Sequence, residues 1–403
     1  MKKKLMILGG SRYIIPVIKA AHKLGLYVIT CDYLPDNIAH KFSDSYYNIS
    51  ILDKEAVLKK AEELKIDGIM SFACDPGVLT AAFVAEKMNL PKAGPYDSIC
   101  ILQNKGKFRK FMAENGFNVP NAKKYSSFGE AVLDIGYFNW PVIVKPTDSA
   151  GSKGVSKIDD KQDLEAAVIK ALSYSHCEEF IIEDYLEQNG FSSDSDSFSV
   201  DGQLVFCSFS SQRFDKDAKN PYTPSAYSWP SSISERHRNE LKSEIQRLLK
   251  LLKLTTSIYN IETRECVNGK TYIMELSPRG GGNRLSEMIE IVTGVDLISN
   301  AVRASVGMKL DSFEPKKSNL NIAEVILHST IPGNFKDLFI DDCIKKNVLE
   351  KDLWIEKGDK IGGFNGANEA IGTLVLKFNS SKELSSVLEN LDKYVKVNVD
   401  SER

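Results

Sequence analysis

An α/β parallel-sheet domain followed by α+β units is the fold class that the sequence predicts, and three observations carry it. Strand-like and helix-like runs alternate at the start: residues 5–8, 14–24, 27–31, 54–64, 68–71 and 78–88 read as βαβαβα around a parallel sheet. Beyond residue 140, short strand-like runs, Gly/Ser turns and a few separate helices replace that alternation. The length of 403 residues, with 42% hydrophobic and 26% charged, allows two to four compact units around a sizeable core.

Taken in order, the first strand stops at Gly9-Gly10 and Asp32 ends the second. That start superficially suggests a dinucleotide site, but the run Gly9 to Ile14 lacks the GxGxxG spacing, and a short glycine turn is common in α/β folds. Residues 105–120 read as a helix with Phe108, Phe111 and Met112 on one face, ended by Asn115-Gly116 before an extended Val119-Pro120, so a new unit starts near here. A strand at 141–146, a Gly/Ser loop at 148–154, a helix at 163–172 and a strand at 180–183 follow. A long helix is expected at 235–252, then a strand at 271–276 leading into Arg279-Gly280-Gly281-Gly282. Residues 283–306 read as two helices broken at Gly294, and from 309 short strands and turns resume before a helical pattern at 382–391. No repeat is present, and the serine-rich tract 192–199 reads as low complexity.

The charge excludes some functions. With 52 Lys+Arg against 54 Asp+Glu the formal charge is −2, and Lys2-Lys3-Lys4 is too short for a basic arm, which argues against a nucleic-acid partner. The apolar run after those lysines is far shorter than a signal-peptide core, and no span suits a membrane helix. The seven cysteines are scattered without a CxxC pair or a histidine-containing ligand cluster, which suits a reducing cytoplasm. A small-molecule partner is the remaining expectation.

The most informative segment runs from Ile258 to Glu275. Asn268-Gly269 between two β-prone runs predicts a hairpin with a two-residue type I′ turn, which sets Val267 against Lys270 and Glu262 directly across from Glu275. Their Cβ atoms would lie about 5 Å apart on one face, an arrangement that makes sense if a divalent cation bridges the two carboxylates. Arg264 neutralising the pair, or a bulge breaking the register, is the alternative. Lys145 ends an apolar strand before Pro146, and the small residues from Asp148 to Gly154 expose backbone N–H groups suited to phosphate oxygens, without the GxxxxGK[ST] of a Walker loop. His328, in a strand-like run, reads either as lining a pocket or as a partly buried strand residue.

The order of these elements resembles the ATP-grasp superfamily, over nearly the whole chain. That resemblance implies a pre-ATP-grasp domain at 1–100, an N-terminal ATP-grasp subdomain at 101–185, a C-terminal subdomain with the metal site at 186–308 and a small accessory domain at 309–403. Asn104-Lys105-Gly106-Lys107-Phe108 is similar to the family's helix-opening segment, which makes Lys105 the first phosphate-side cation. Lys145 is similar to the second nucleotide lysine, and Ser149 to Gly154 to the loop that closes over the triphosphate, with Ser152 and Gly154 touching it. Glu183-Asp184-Tyr185-Leu186 resembles the hinge, where Glu183 and the backbone around Tyr185 would read adenine and Leu186 would pack on the ring. Glu262 and Glu275 fall where the family holds magnesium, or manganese in its place. Ser277-Pro278-Arg279 stands for the family's usual Asn-Pro-Arg, and a serine there also occurs in the formate-dependent transformylase branch.

The implied activity is ATP-dependent ligation: a carboxylate is activated as an acyl phosphate and passed to an amine, with release of ADP and phosphate. Lys145 and Arg279 are the implied catalytic residues, Arg279 stabilising charge on the acyl phosphate. Substrate contacts are expected from Arg213, Asn283 and Arg284, near Tyr227 to Pro230, although Arg213 also reads as an ordinary ion-paired arginine. The partners are a small carboxylate and an amine, and a homodimer is compatible. Two other readings stay open, an enzyme activating formate or bicarbonate and a catalytically silent ATP-binding protein.

Overall fold

The computed structural model of the chain describes residues 2–149, 151–316 and 320–400, which fall into two compact units. The first unit comprises Met1–Val119, Asp194–Ser208 and Ser234–Lys316. Its parallel sheet runs Ser45–Asn48, Tyr27–Asp32, Lys4–Leu8, Gly68–Ser71 from edge to edge, so the expected βαβαβα start is present. Leu5 to Leu8 are fully buried because layers cover both faces of the sheet, and Met6 and Leu8 pack with Val57, Ala61 and Val84 of the helices Lys54–Leu64 and Pro76–Lys87. The edge strand Ser45–Asn48 was not expected, since Ser-Tyr-Tyr-Asn carries little apolar signal.

Strand order reverses between Lys4–Leu8 and Gly68–Ser71, and the crevice outside the carboxyl ends of such strands is where α/β sheets hold ligands. Gly9-Gly10 and Cys74-Asp75 emerge there. Gly9 has φ +107°, and a Cβ on Gly10 would meet the His40 ring at 2.5 Å, so both glycines are required by the backbone path.

The same unit holds an antiparallel sheet in the order Gln203–Cys207, Ser193–Val200, Ser257–Glu265, Thr271–Ser277. The helix Glu235–Leu251 contributes Leu241, Ile245, Leu248 and Leu249 to its core. The tract at 192–199, expected as low complexity, is instead a buried strand. Two of its polar groups are held by partners inside: Ser199 Oγ lies 3.0 Å from the Tyr259 hydroxyl, and the Asp196 carboxylate accepts from the Gly281 N–H at 2.9 Å. The two helices Leu285–Thr293 and Leu297–Ser305 are separated at Gly294, whose φ of +77° ends the first.

The second unit comprises Pro120–Ser193, Phe209–Ile233 and Lys317–Arg403. One antiparallel sheet runs Ala122–Tyr125, Phe180–Asp184, Val142–Pro146, Ser156–Ile158, with Val142, Val144, Phe180 and Ile182 packed against Leu164 and Val168 of the helix Leu164–Leu172. A five-stranded sheet follows the order Ser211–Phe214, Pro224–Trp229, Asn321–Leu327, Gly372–Phe378, Val348–Leu353, beside a three-stranded one built on Gly333–Ile340. Among the described residues no helix is long and apolar enough to cross a membrane.

Candidate functional site

In the first unit the hairpin does place Glu262 directly opposite Glu275, by a different route from the expected one. The two-residue type I′ turn is not formed. Cys266, not Val267, pairs with Lys270, its N–H donating to the Lys270 carbonyl at 3.0 Å, and Gly269 alone in the loop has positive φ, +74°. This is a three-residue loop closing on a left-handed glycine, and it shifts the register by one residue. A bulge between Glu262 and Thr263 shifts it back, leaving Met274 as the extra residue. The Met274 carbonyl takes a 2.8 Å hydrogen bond from Arg109 Nη1, a buried guanidinium on the helix Lys105–Glu114. The turn and the bulge cancel, and the carboxylates face each other.

Glu275 lies 3.8 Å from Lys105 Nζ, and Glu262 3.2 Å from Arg264 Nη2. Both carboxylates stay accessible, at 38% and 31% side-chain exposure. Asn104 opens the Lys105 helix by accepting from the Lys107 N–H at 2.9 Å, which fixes Lys105 in the first turn. Two neighbouring carboxylates with accessible oxygens form the hard donor set that magnesium shares with phosphate oxygens and water. Among the described residues no group of three or more His, Cys, Asp or Glu is arranged to hold a metal by protein atoms alone.

Beside this pair Arg279 is the centre of a buried network. Its Nε and Nη2 donate to the two oxygens of Asp75 at 2.8 and 2.7 Å, and its Nη1 donates to Asn260 Oδ1 at 3.0 Å and the Gly280 carbonyl at 3.1 Å. Ser277, at the position of the family's usual asparagine, donates to Asp75 at 3.0 Å and accepts from Gln103 at 2.9 Å. Asn260 donates to Asp194 at 2.7 Å and to Asp196 at 3.2 Å, and Asp196 also accepts from the Gly281 N–H at 2.9 Å. A Cβ on Gly280 would sit 2.2 Å from the Phe72 ring, so the turn needs glycine there.

Electrostatics follow from this packing. Burial pushes the Asp75 carboxyl up, but the charge and hydrogen bonds of Arg279 outweigh it and hold the group below the usual carboxylate range. Arg279 is in turn raised above its ordinary value, burial being outweighed by Asp75. Asp194 is pushed up to about 7, first by burial and then by the charge of Glu262. Asn283 and Arg284 follow with left-handed φ of +48° and +55°, and Arg284 pairs with Glu287 at 3.4 Å.

In the second unit Lys145 Nζ lies 2.7 Å from Glu183 Oε2, with the side chains only 12% and 3% exposed. Glu183, expected to read adenine, thus has its carboxylate on Lys145. Asp184 accepts from Asn121 and twice from Asn139, all at 2.8–2.9 Å, and is a structural brace. The Tyr185 N–H donates to the Pro141 carbonyl at 3.0 Å, so this donor is not open to a purine, and Leu186 is half-buried beside it. In the loop Ser149 to Gly154, Ala150 lies outside the described residues. Ser152 has φ +57° and donates from Oγ to the Tyr222 carbonyl at 2.9 Å, while a Cβ on Gly154 would meet Pro146 and Tyr174 at 3.1 Å. A polar cavity of about 240 Å³ opens beside the loop, ringed by Lys153, Lys157, Lys170 and Lys219.

Arg213 belongs to this second unit, not to the unit of Arg279, Asn283 and Arg284. It donates to Ser228 Oγ at 2.7 Å and stacks on Phe191 at 4.1 Å, with burial lowering its pKa to about 10. His328 is the partly buried residue of the two expectations: Nε2 lies 3.0 Å from Asp215, Nδ1 2.7 Å from the Ile326 carbonyl, and the ring stacks on Phe364. Asp75, Asp194, Asp196, Asn260 and Arg109 were missed. Asp194 and Asp196 carried a period-two signal inside the serine tract, while Asp75 before Pro76 reads as an ordinary helix cap.

Comparison with known proteins adds three findings. A family model described as ATP-grasp domain matches residues 138–287. The carbamoyl phosphate synthase large chain of Pseudothermotoga lettingae is 25% identical over 323 residues, 77% of this chain and 29% of that protein, so this chain spans under a third of that relative. Among solved structures, an L-amino acid ligase from Bacillus licheniformis superposes with a TM-score of 0.81 at 20% identity, covering 99% of each chain. A phosphoribosylglycinamide synthetase from Anaerococcus prevotii does so with a TM-score of 0.77 at 19% identity, covering 99% of this chain and 100% of that one.

Proposed function

We propose that this chain, whose residues 138–287 match an ATP-grasp domain, is an ATP-grasp ligase that joins a carboxylate to an amine. A carboxylate oxygen attacks the γ-phosphorus of ATP and ADP leaves; the amine, having given its ammonium proton to solvent, then forms the bond to the acyl carbon as the acyl–oxygen bond breaks, and the departing phosphate takes up the second nitrogen proton. The observation that supports this reading most is Glu262 across from Glu275, with Lys105 3.8 Å from Glu275, next to the Arg279 network.

Glu262 and Glu275 are the residues that would hold magnesium, which when bound screens the phosphate oxygens. Lys105 is assigned to the phosphates from a helix start, and Lys145 from a strand end beside the glycine loop. The carboxylate of Glu183 holds the Lys145 ammonium in a buried setting, so the lysine needs little ordering when an anion arrives. Arg279 supplies a charged planar donor for the acyl phosphate. The demand on the protein is mainly positioning and electrostatics, since the leaving groups need little acid-base help.

Release of ADP and phosphate across a panel of carboxylates and amines with magnesium tests the reading. Turnover with labelled formate or bicarbonate as the activated acid, the second reading that Ser277-Pro278-Arg279 favours, shows as isotope incorporated into product. Binding of MgATP with no ADP released over the whole panel points to a silent nucleotide-binding protein, and absence of MgATP binding sinks the proposal.

A further inference from the structure

Asp75 lies outside the matched domain and outside every assignment made above. It lies four residues beyond the last residue of the strand Gly68–Ser71 and directly before Pro76, which opens the helix Pro76–Lys87. An aspartate there ordinarily caps the helix, but its side chain makes no cap bond. Both oxygens go to Arg279, with Ser277 added to one of them.

The guanidinium offers five N–H groups. Four hydrogen bonds already leave it, two to Asp75, one to Asn260 and one to Gly280. In this state Arg279 cannot give an acyl phosphate the two-pronged grip that a guanidinium makes on an oxyanion. To do so it must leave Asp75. Leaving without a substitute strands a carboxylate in a poorly solvated place, which is strongly unfavourable. A neutral ligand does not solve that problem; a ligand with a positive charge and several N–H donors does.

The surroundings favour such a cation. Asp194 and Asp196 act on the same Arg279 charge as Asp75 does, and Glu262 adds its charge at Asp194, so the neighbourhood is acidic. Asp75 keeps 18% of its side chain exposed, so a small ligand can reach it.

We propose that Asp75 recognises the acceptor: the ammonium group of a cationic primary amine replaces Arg279 on its carboxylate and frees the guanidinium for the acyl phosphate. This rests on the ligase reading above and narrows its acceptor to amines that arrive charged, excluding neutral amides and alcohols. It also links acceptor arrival to completion of the site, since Arg279 is held back until an ammonium takes its place.

The test compares glycinamide, a cation without a carboxylate, with glycolamide, in which a hydroxyl replaces the ammonium. Calorimetry on the full chain with MgATP present should show glycinamide binding at least about tenfold tighter in the wild type, the scale of a charge-assisted hydrogen bond. Asp75→Asn should erase that preference while keeping the MgATP affinity, and Asp75→Glu should retain it. A positioning role alone would leave the preference intact in Asp75→Asn. Equal binding of the two probes by the wild type, absence of glycinamide binding, or a preference that survives in Asp75→Asn overturns the proposal; the first two outcomes do so even if Asp75→Asn does not fold. Loss of MgATP binding by the wild type would instead overturn the ligase reading.

Discussion

Glu262 and Glu275 repel each other across the hairpin, so relieving one charge should cost the fold little. Glu275→Gln or Glu262→Gln is expected to leave the melting temperature unchanged while abolishing ADP release; normal turnover of Glu275→Gln at low magnesium would sink the metal assignment. Asp194 gives a pH signature. It keeps its proton up to about 7 in the folded chain, against 3.8 ordinarily. Between those values the unfolded chain binds fewer protons, so this group's contribution to stability falls as pH rises through that window and is level above it. Asp194→Asn should therefore stabilise the magnesium-free protein by about 1–3 kcal/mol near pH 8 and by nothing near pH 4, read as urea midpoints. A gain independent of pH would refute the assignment. At this scale the carboxylate pair was legible because a turn signal sets cross-strand partners by local counting. Asp75 was not, because its meaning depends on Arg279, far along the chain, and no local pattern encodes that contact.

The hairpin strands show how an element can be right for the wrong turn. Asn268-Gly269 marked the reversal, but whether two or three residues form the loop depends on the twist of the strands and on the bulge that Arg109 holds. Arg109→Met leaves the Met274 carbonyl without its donor and should cost about 1–3 kcal/mol in chemical denaturation. Relaxation of the bulge would carry Glu275 to the opposite face from Glu262, so magnesium dependence should fall along with stability. Unaltered magnesium dependence in a destabilised Arg109→Met would show that the bulge does not matter to the pair. For the glycine loop, amide exchange at residues 151–155 should slow when a non-hydrolysable ATP analogue and magnesium are added. Equal rates in both states would leave the loop latched on Tyr222 as a surface connection only. The serine-rich strand escaped the sequence because burial of polar residues is decided by partners such as Tyr259, which periodicity does not see.

On the scale of the whole molecule, Lys105 and Lys145 belong to different units, so each can be removed without disturbing the other's fold. Lys105→Met and Lys145→Met should each weaken MgATP binding by about 1–3 kcal/mol, and unchanged dissociation constants in both would refute the phosphate assignment. The α/β start and the α+β continuation were legible from the alternation of runs. How the later stretches are shared between units was not, since long-range returns leave no local trace. Each unit is assembled from three stretches, the chain crossing after Val119, Ser193, Ser208, Ile233 and Lys316. During synthesis, then, neither unit leaves the ribosome in one piece. The strand Pro224–Trp229 emerges long before Asn321–Leu327, the neighbour that completes its pairing, and must wait with an open edge. A nascent chain halted in that interval is the form most in need of a chaperone. By the same route, one protease cut between residues 120 and 316 should release no independent fragment, because each unit then stays stitched together by segments from both sides of the cut.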